Sequence, residues 1–301
     1  MELWIFATIV ATIFQTVRFM LQKQLSMGAL STGGATFARF AYSAPLLAVV
    51  LVAWFGLNDV DVPKITARFW LMGAIGGLAQ IMATVCVVAL FRTRNFAVGI
   101  TFKKTEVILS VLVGIVVLGE GVSGYGFFAI LIGLFGVLLL SKTPSVEGGW
   151  VQRVCTRAAA LGLGSGFLFA ISAVTYRAAT LEVGADAPLL RAAVTLSAVT
   201  LMQFTAMAIW LRVREPGQLG AVWSARRKAA LIGLTSVAGS LGWFVAFTLQ
   251  TAAYVNALGQ IELIFSLIVS TLVFKEKLSL REGLGIGFLS ASVLLLILVT
   301  R

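Results

Sequence analysis

Apolar residues along this chain gather into ten runs separated by short polar gaps. A helix needs roughly 20 mostly apolar residues to cross the hydrocarbon core of a bilayer. Read with that window, the runs fall at Leu3–Leu21, Gly34–Phe55, Phe69–Leu90, Phe96–Leu118, Tyr125–Leu140, Ala158–Ala178, Pro188–Leu211, Ala229–Leu249, Val255–Phe274 and Leu280–Val299. The pattern predicts an all-α membrane protein with ten transmembrane helices. The longer connections, Leu57–Arg68, Ser141–Arg157 and Arg212–Lys228, are too short to hold a soluble domain, and only Pro45 lies well inside a run.

The pattern also repeats. With Glu106 placed over Glu262, Glu120 falls over Glu276, Ser123 over Ser279, and Leu138, Leu139 and Leu140 over Leu294, Leu295 and Leu296, all at an offset of 156. Arg39 pairs with Arg191 at an offset of 152. Two five-helix units are expected, residues 1–145 and 146–301. An odd number of spans forces the two copies into opposite orientations, and inverted repeats of this kind are common in secondary transporters.

Composition strengthens the membrane reading. Of 301 residues, 59% are hydrophobic and 12% charged, about half the charged fraction of a soluble domain, and the mean hydropathy is +1.01. The net charge of +11 sits mostly in the gaps between runs. That placement suits interfacial anchors, not a nucleic-acid surface. There is no histidine, and the two cysteines, Cys86 in a run and Cys155 in a connection, have no metal-ligand spacing, so neither a metal nor a cofactor is expected. The N-terminus lacks the basic n-region and small-residue cleavage site of a signal peptide.

Thr105-Glu106 through Leu118-Gly119-Glu120-Gly121-Val122-Ser123, and Ile261-Glu262 through Phe274-Lys275-Glu276-Lys277-Leu278-Ser279, resemble the signature of the EamA-type ten-helix branch of the drug/metabolite transporter superfamily. That signature has a glutamate, a proline, an apolar stretch and a second glutamate. Val107 and Leu263 stand where the proline would be, so the fourth and ninth helices are expected to be straighter than is usual there. The resemblance implies an exporter of a small metabolite, an amino acid or another anionic or zwitterionic solute, working by alternating access. It implies a multi-pass protein of a bacterial inner (plasma) membrane, a monomer or weak dimer whose partners are the solute and the lipid bilayer. Proton coupling would follow if Glu106 or Glu262 changes protonation during the cycle.

Charge inside hydrocarbon costs a few kcal/mol per residue, so it marks candidate chemistry. The fourth run holds Lys103, Lys104 and Glu106. Glu106 lies about 18 Å of helix rise before Leu118, near the midplane. Glu262, with Gln260 beside it, has the matching depth in the ninth run. Polar stripes at helical spacing add Gln15, Arg18 and Gln22; Gln80 and Thr84 beyond Gly73 and Gly77; Ser172 and Tyr176 beyond Ser165; and Trp243 among Ser236, Ser240 and Gln250. The expected solute site is Gln15, Arg18, Gln22, Gln80, Thr84, Lys103, Lys104, Glu106, Ser172, Tyr176, Trp243, Gln260 and Glu262. Its basic excess suits an anionic group.

Plainer readings exist for each. Lys103 and Glu106 at i and i+3 can neutralise each other, the stripes can be helix–helix hydrogen bonds, and Arg18 can snorkel to an interface. Glu120 and Glu276 read as hairpin structure, Ser279 and Glu282 as a capping box, and the GxxxG spacings at Gly73–Gly77, Gly162–Gly166 and Gly283–Gly287 as close helix packing. An intramembrane enzyme is disfavoured. No histidine can serve a serine nucleophile, and Asp59, Asp61 and Asp186 lie in or beside connections. The alternative to transport is a membrane scaffold or lipid-handling protein.

Orientation divides the two lines of argument. The resemblance implies cytoplasmic termini. The connections after the odd-numbered runs carry 14 Lys and Arg, and the other side carries 5; the basic-rich side is normally cytoplasmic, which puts both termini outside. A C-terminal fusion to a reporter that fluoresces only in the cytoplasm is expected to be dark in well-expressing cells. Bright cells would reject the charge count.

Overall fold

The computed structural model describes residues 2–28, 30–58, 61–91, 102–140, 156–265 and 279–300. Residues 96–101 and 266–274 of the expected runs, together with Cys155, Lys275, Glu276 and Lys277, lie outside them. The elements are α1 (Leu3–Ser26), α2 (Thr32–Asn58), α3 (Ala67–Leu90), α4 (Glu106–Leu118), α5 (Gly124–Leu140), α6 (Arg157–Leu181), α7 (Pro188–Arg214), the short α8 (Gln218–Ser224), α9 (Arg226–Leu249), α10 (Ala252–Gly259) and α11 (Leu280–Val299). Seven are long and apolar enough to cross a membrane: α1, α2, α3, α6, α7, α9 and α11. Glu106–Leu118, Gly124–Leu140 and Ala252–Phe265 form shorter apolar helices. The chain is an all-α, multi-pass membrane protein.

Its surface is inverted relative to a soluble fold. Val52, Val116 and Leu298 are exposed, as are many other large apolar side chains, while Thr8, Gln22, Thr84 and Ser165 are buried. Lipid supplies no hydrophobic force between helices, so association rests on close packing of small residues and on interhelical hydrogen bonds. The helices pack α1 on α9, α2 on α7, α3 on α6 and α5 on α11, with α4 against α6 and α10.

The glycines sort by what they face. A Cβ on Gly136 would meet the Leu289 backbone nitrogen at 2.8 Å and the Gly285 carbonyl at 2.9 Å, so α5 and α11 touch backbone to backbone. Gly73 and Gly77 lie against Val199 of α7. The expected packing role of Gly283 and Gly287 is corrected: both face open space, and Gly285 between them makes the contact. The Ser279–Glu282 capping box is present.

The helices formed by the fourth and ninth runs are not straight. Two helical residues, 102 and 103, precede a turn at Lys104 and Thr105 before α4 begins, and α10 stops at Gly259 before a turn at Gln260 and Ile261. The two turns are 156 positions apart. Backbone bonds tighten to three-residue spacing at both: the Thr105 nitrogen donates to the Phe102 carbonyl (3.1 Å), and that of Ile261 to the Leu258 carbonyl (3.0 Å). Local chemistry replaces the missing proline. The Thr105 hydroxyl donates to the Phe102 carbonyl at 2.7 Å, competing with the helix ladder. At the other turn Gly259 is a weak helix former.

Gly136→Ala is expected to destabilise the α5–α11 contact by about 1–3 kcal/mol. Gly283→Ala, on an open helix face, is expected to be neutral or stabilising by up to about 1 kcal/mol. Unfolding of the detergent-solubilised variants measures both.

Candidate functional site

The two helix interruptions carry the charges and place them together. Glu106 opens α4, where the positive end of the helix dipole favours a carboxylate. Lys103 bonds its Oε1 at 3.2 Å and Oε2 at 3.1 Å, and rests over the Phe169 ring, 4.9 Å from its centre. Lys104 points the other way and forms an ion pair with Glu262. Gln15 of α1 joins this group. Its amide nitrogen lies 3.4 Å from Glu262, and its oxygen accepts from Trp243 Nε1 (3.1 Å) and from Arg18 (3.4 Å). Close approach makes the cluster possible. A Cβ on Gly166 would meet the Lys103 carbonyl at 2.8 Å, so α6 lies directly on the first interruption.

These groups surround a central cavity of about 60 Å³. Of the residues expected from sequence, Gln15, Arg18, Gln80, Lys103, Glu106, Ser172, Tyr176, Trp243, Gln260 and Glu262 line it. Three do not. Gln22 is turned to the Ala35 carbonyl of α2 (3.1 Å), and the Thr84 hydroxyl bonds back to the Gln80 carbonyl (2.8 Å). Lys104 lines a second cavity, of about 270 Å³, which extends past Thr16, Phe19 and Phe91 to Lys23. Lys103 and Glu262 line both cavities, so the lysine–glutamate group is the partition between them.

Sequence reading missed Arg39, Asn256 and the aromatic residues Phe169, Phe244 and Phe247, all of which line the central cavity. Arg39 donates to Ser240 (3.0 Å). Its signal was present, since a charge inside an apolar run is the mark that singled out Lys103, Lys104 and Glu106. Asn256 donates to Ser110 (2.7 Å). Gln203 was missed as well: it binds Gln80 at 3.0 Å and the Tyr176 hydroxyl at 3.2 Å, fixing both.

The charges are unequally satisfied. Arg18 and Arg39 are each 4% exposed. Neither has a carboxylate at ion-pair distance among the described residues. Arg18 Nε and Arg39 Nη1 are buried without a hydrogen-bond partner.

Polar contacts tie helices together at one end of the bundle. Glu120, expected to be hairpin structure, receives two bonds from Arg177, Nε to Oε2 (2.6 Å) and Nη2 to Oε1 (2.8 Å). Arg177 Nη1 donates to the Phe247 and Gln250 carbonyls at the end of α9 (2.7 and 2.9 Å). At the same end Thr66 bonds Glu182 (2.7 Å), and Lys64 pairs with Gly184 through the backbone.

Comparison with known proteins bears on part of this arrangement. Residues 156–298 match the model of the EamA-like transporter family. This EamA-like domain supplies Ser172, Tyr176, Trp243, Asn256, Gln260 and Glu262 to the cavity. No curated protein matches the chain. A solved crystal structure of a protein aligns over 96% of this chain and 98% of its own, with a TM-score of 0.65 and 16% identity. The fold is therefore shared along almost the whole length.

Glu262→Gln would strand Lys104, which is 2% exposed. Removing one partner of a buried pair costs about 3–5 kcal/mol. The double variant Lys104→Gln/Glu262→Gln is expected to recover most of that loss. A double-mutant cycle of denaturant unfolding in detergent measures the coupling, and additive losses would show that the pair does not hold the fold.

Proposed function

We propose that this chain is a secondary transporter that carries a small solute bearing an anionic group, by alternating access around the central cavity. The observation that carries the reading is the pair of buried guanidiniums, Arg18 and Arg39, facing that cavity without a carboxylate partner among the described residues. A protein that never held an anion there would retain a buried charge excess for nothing.

Several features support a two-unit machine of residues 1–145 and 146–301, each a five-helix EamA-like repeat. The family match, 156–298, lies within the second unit. The interruptions of the fourth and ninth helices share the 156-residue offset. The packing pairs also map onto one another when the units are exchanged: α1 on α9 becomes α6 on α3, while α2 on α7 and α5 on α11 map onto themselves. Broken helices meeting at the midplane suit a transport site. The Arg177–Glu120 clamp on one side and the Lys104–Glu262 pair on the other are the contacts that alternate opening would have to release. Glu106 and Glu262 are the groups through which a proton gradient would couple. A cavity of about 60 Å³ holds a few waters, so solute entry widens it.

The test is anion flux into proteoliposomes. Wild type is expected to move a radiolabelled organic acid down its gradient. Arg39→Gln is expected to reduce that flux at least roughly tenfold, the effect of losing about 1.4 kcal/mol of binding, with unchanged reconstitution yield. Flux equal to empty liposomes for every organic acid, or full flux in Arg18→Gln/Arg39→Gln, would overturn the reading.

A further inference from the structure

We infer that the solute is an organic anion without an ammonium group, built on a flat aromatic body, and not an amino acid. This rests on the transport reading above and narrows it.

The argument begins with the carboxylates. An ammonium group buried in an apolar bundle needs a carboxylate partner. The central cavity offers two, Glu106 and Glu262. Both are taken, by Lys103 and Lys104. Freeing either for a ligand would strand a lysine that is 5% or 2% exposed. The cations are placed differently, since Arg18 and Arg39 have donors to spare. Among the described residues Arg18, Arg39 and Lys103 line the cavity with two carboxylates; with Lys104, which pairs with Glu262 from behind, the group carries a local excess of two positive charges. A zwitterion leaves that excess where it was, whereas a monoanion halves it and a dianion removes it. Electrostatic complementarity therefore selects against the amine.

The remaining wall describes the rest of the molecule. Gln260 Oε1 is buried without a hydrogen-bond partner, so it accepts from a neutral hydroxyl or N–H. Paired rings complete the wall: Trp243 stacks on Phe247 with centroids 5.7 Å apart, and Tyr176 lies against Phe244 at 4.6 Å. Such faces favour a flat ring over a branched chain.

Matched ligands test this with the solubilised full-length protein at constant ionic strength. The first set is 3-phenylpropanoate, phenylalanine and 2-phenylethylamine, and the second is propanoate, alanine and ethylamine. Affinity is read by calorimetry and by thermal shift, since binding to the native state raises its stability. The expected order is 3-phenylpropanoate first, phenylalanine at least roughly tenfold weaker and the amine without effect, with propanoate also at least roughly tenfold weaker than its phenyl counterpart. Phenylalanine within tenfold of 3-phenylpropanoate would overturn the exclusion of the ammonium and leave anion transport standing. Propanoate within tenfold would overturn the aromatic body alone. No binding by either carboxylate would overturn this inference, and the flux assay then decides the transport reading independently. Arg39→Lys keeps the charge should Arg39→Gln fail to fold. It is expected to weaken both carboxylates and preserve their order, and an unchanged affinity would remove Arg39 from the site.

Discussion

An ionised side chain inside an apolar bundle must find a partner or destabilise the whole. Four cations and two carboxylates meet near the middle of this one, and much of the surrounding architecture follows from satisfying them. A continuous helix would carry Lys103, Lys104 and Glu106 on successive faces at fixed angles. The turn at Lys104–Thr105 relaxes that constraint. Across it Lys103 still bonds Glu106, while Lys104 reaches Glu262. Gly166 gives α6 access to the exposed backbone of the turn, and Gln15 spans from Glu262 to Trp243. Each device is small, and each sits where a larger or less polar residue would leave a charge unpaired.

The division between the two halves of the chain is uneven. Among the described residues the first half lines the cavity with Arg18, Arg39, Lys103 and Glu106, and the second with Glu262 and every lining ring. Shared offsets in sequence and matching packing pairs therefore coexist with an asymmetric centre. Gly259 and Gln260 stand where the first half has Lys103 and Lys104. In the transport reading, a solute at this centre would meet basic groups from the first half and aromatic groups from the second.

The apolar runs were legible because lipid imposes one strong rule on helix length and polarity. The buried charges were legible for the same reason, and 19 of the 23 basic residues fall at run ends or in connections. The four that do not are Arg18, Arg39, Lys103 and Lys104. Arg39 was passed over because it had been assigned to the repeat. Helical spacing misplaced Gln22 and Thr84 because a stripe fixes direction and not depth. Gln22 lies two turns beyond Gln15, about 10 Å along the axis, past the cavity and beside α2. The interruptions were hidden because proline was the expected breaker, and a threonine hydroxyl and a glycine do its work. Arg177 was beyond reach of any local pattern, with its partner Glu120 57 positions away.

The two lysine–glutamate pairs differ in what motion does to them. Lys103 and Glu106 are three positions apart across a single turn, so little of the chain can move between them. Lys104 and Glu262 lie 158 positions apart on the two interrupted helices, and any movement of one helix relative to the other stretches their bond first. Separation of these charges in a low-dielectric setting is costly, which gives the closed arrangement a barrier. Lys104 lies outside the central cavity, whose described lining carries Lys103 and the two arginines. In the transport reading the Lys104–Glu262 pair, at the boundary of the two cavities, is the contact that resists relative movement of the two interrupted helices.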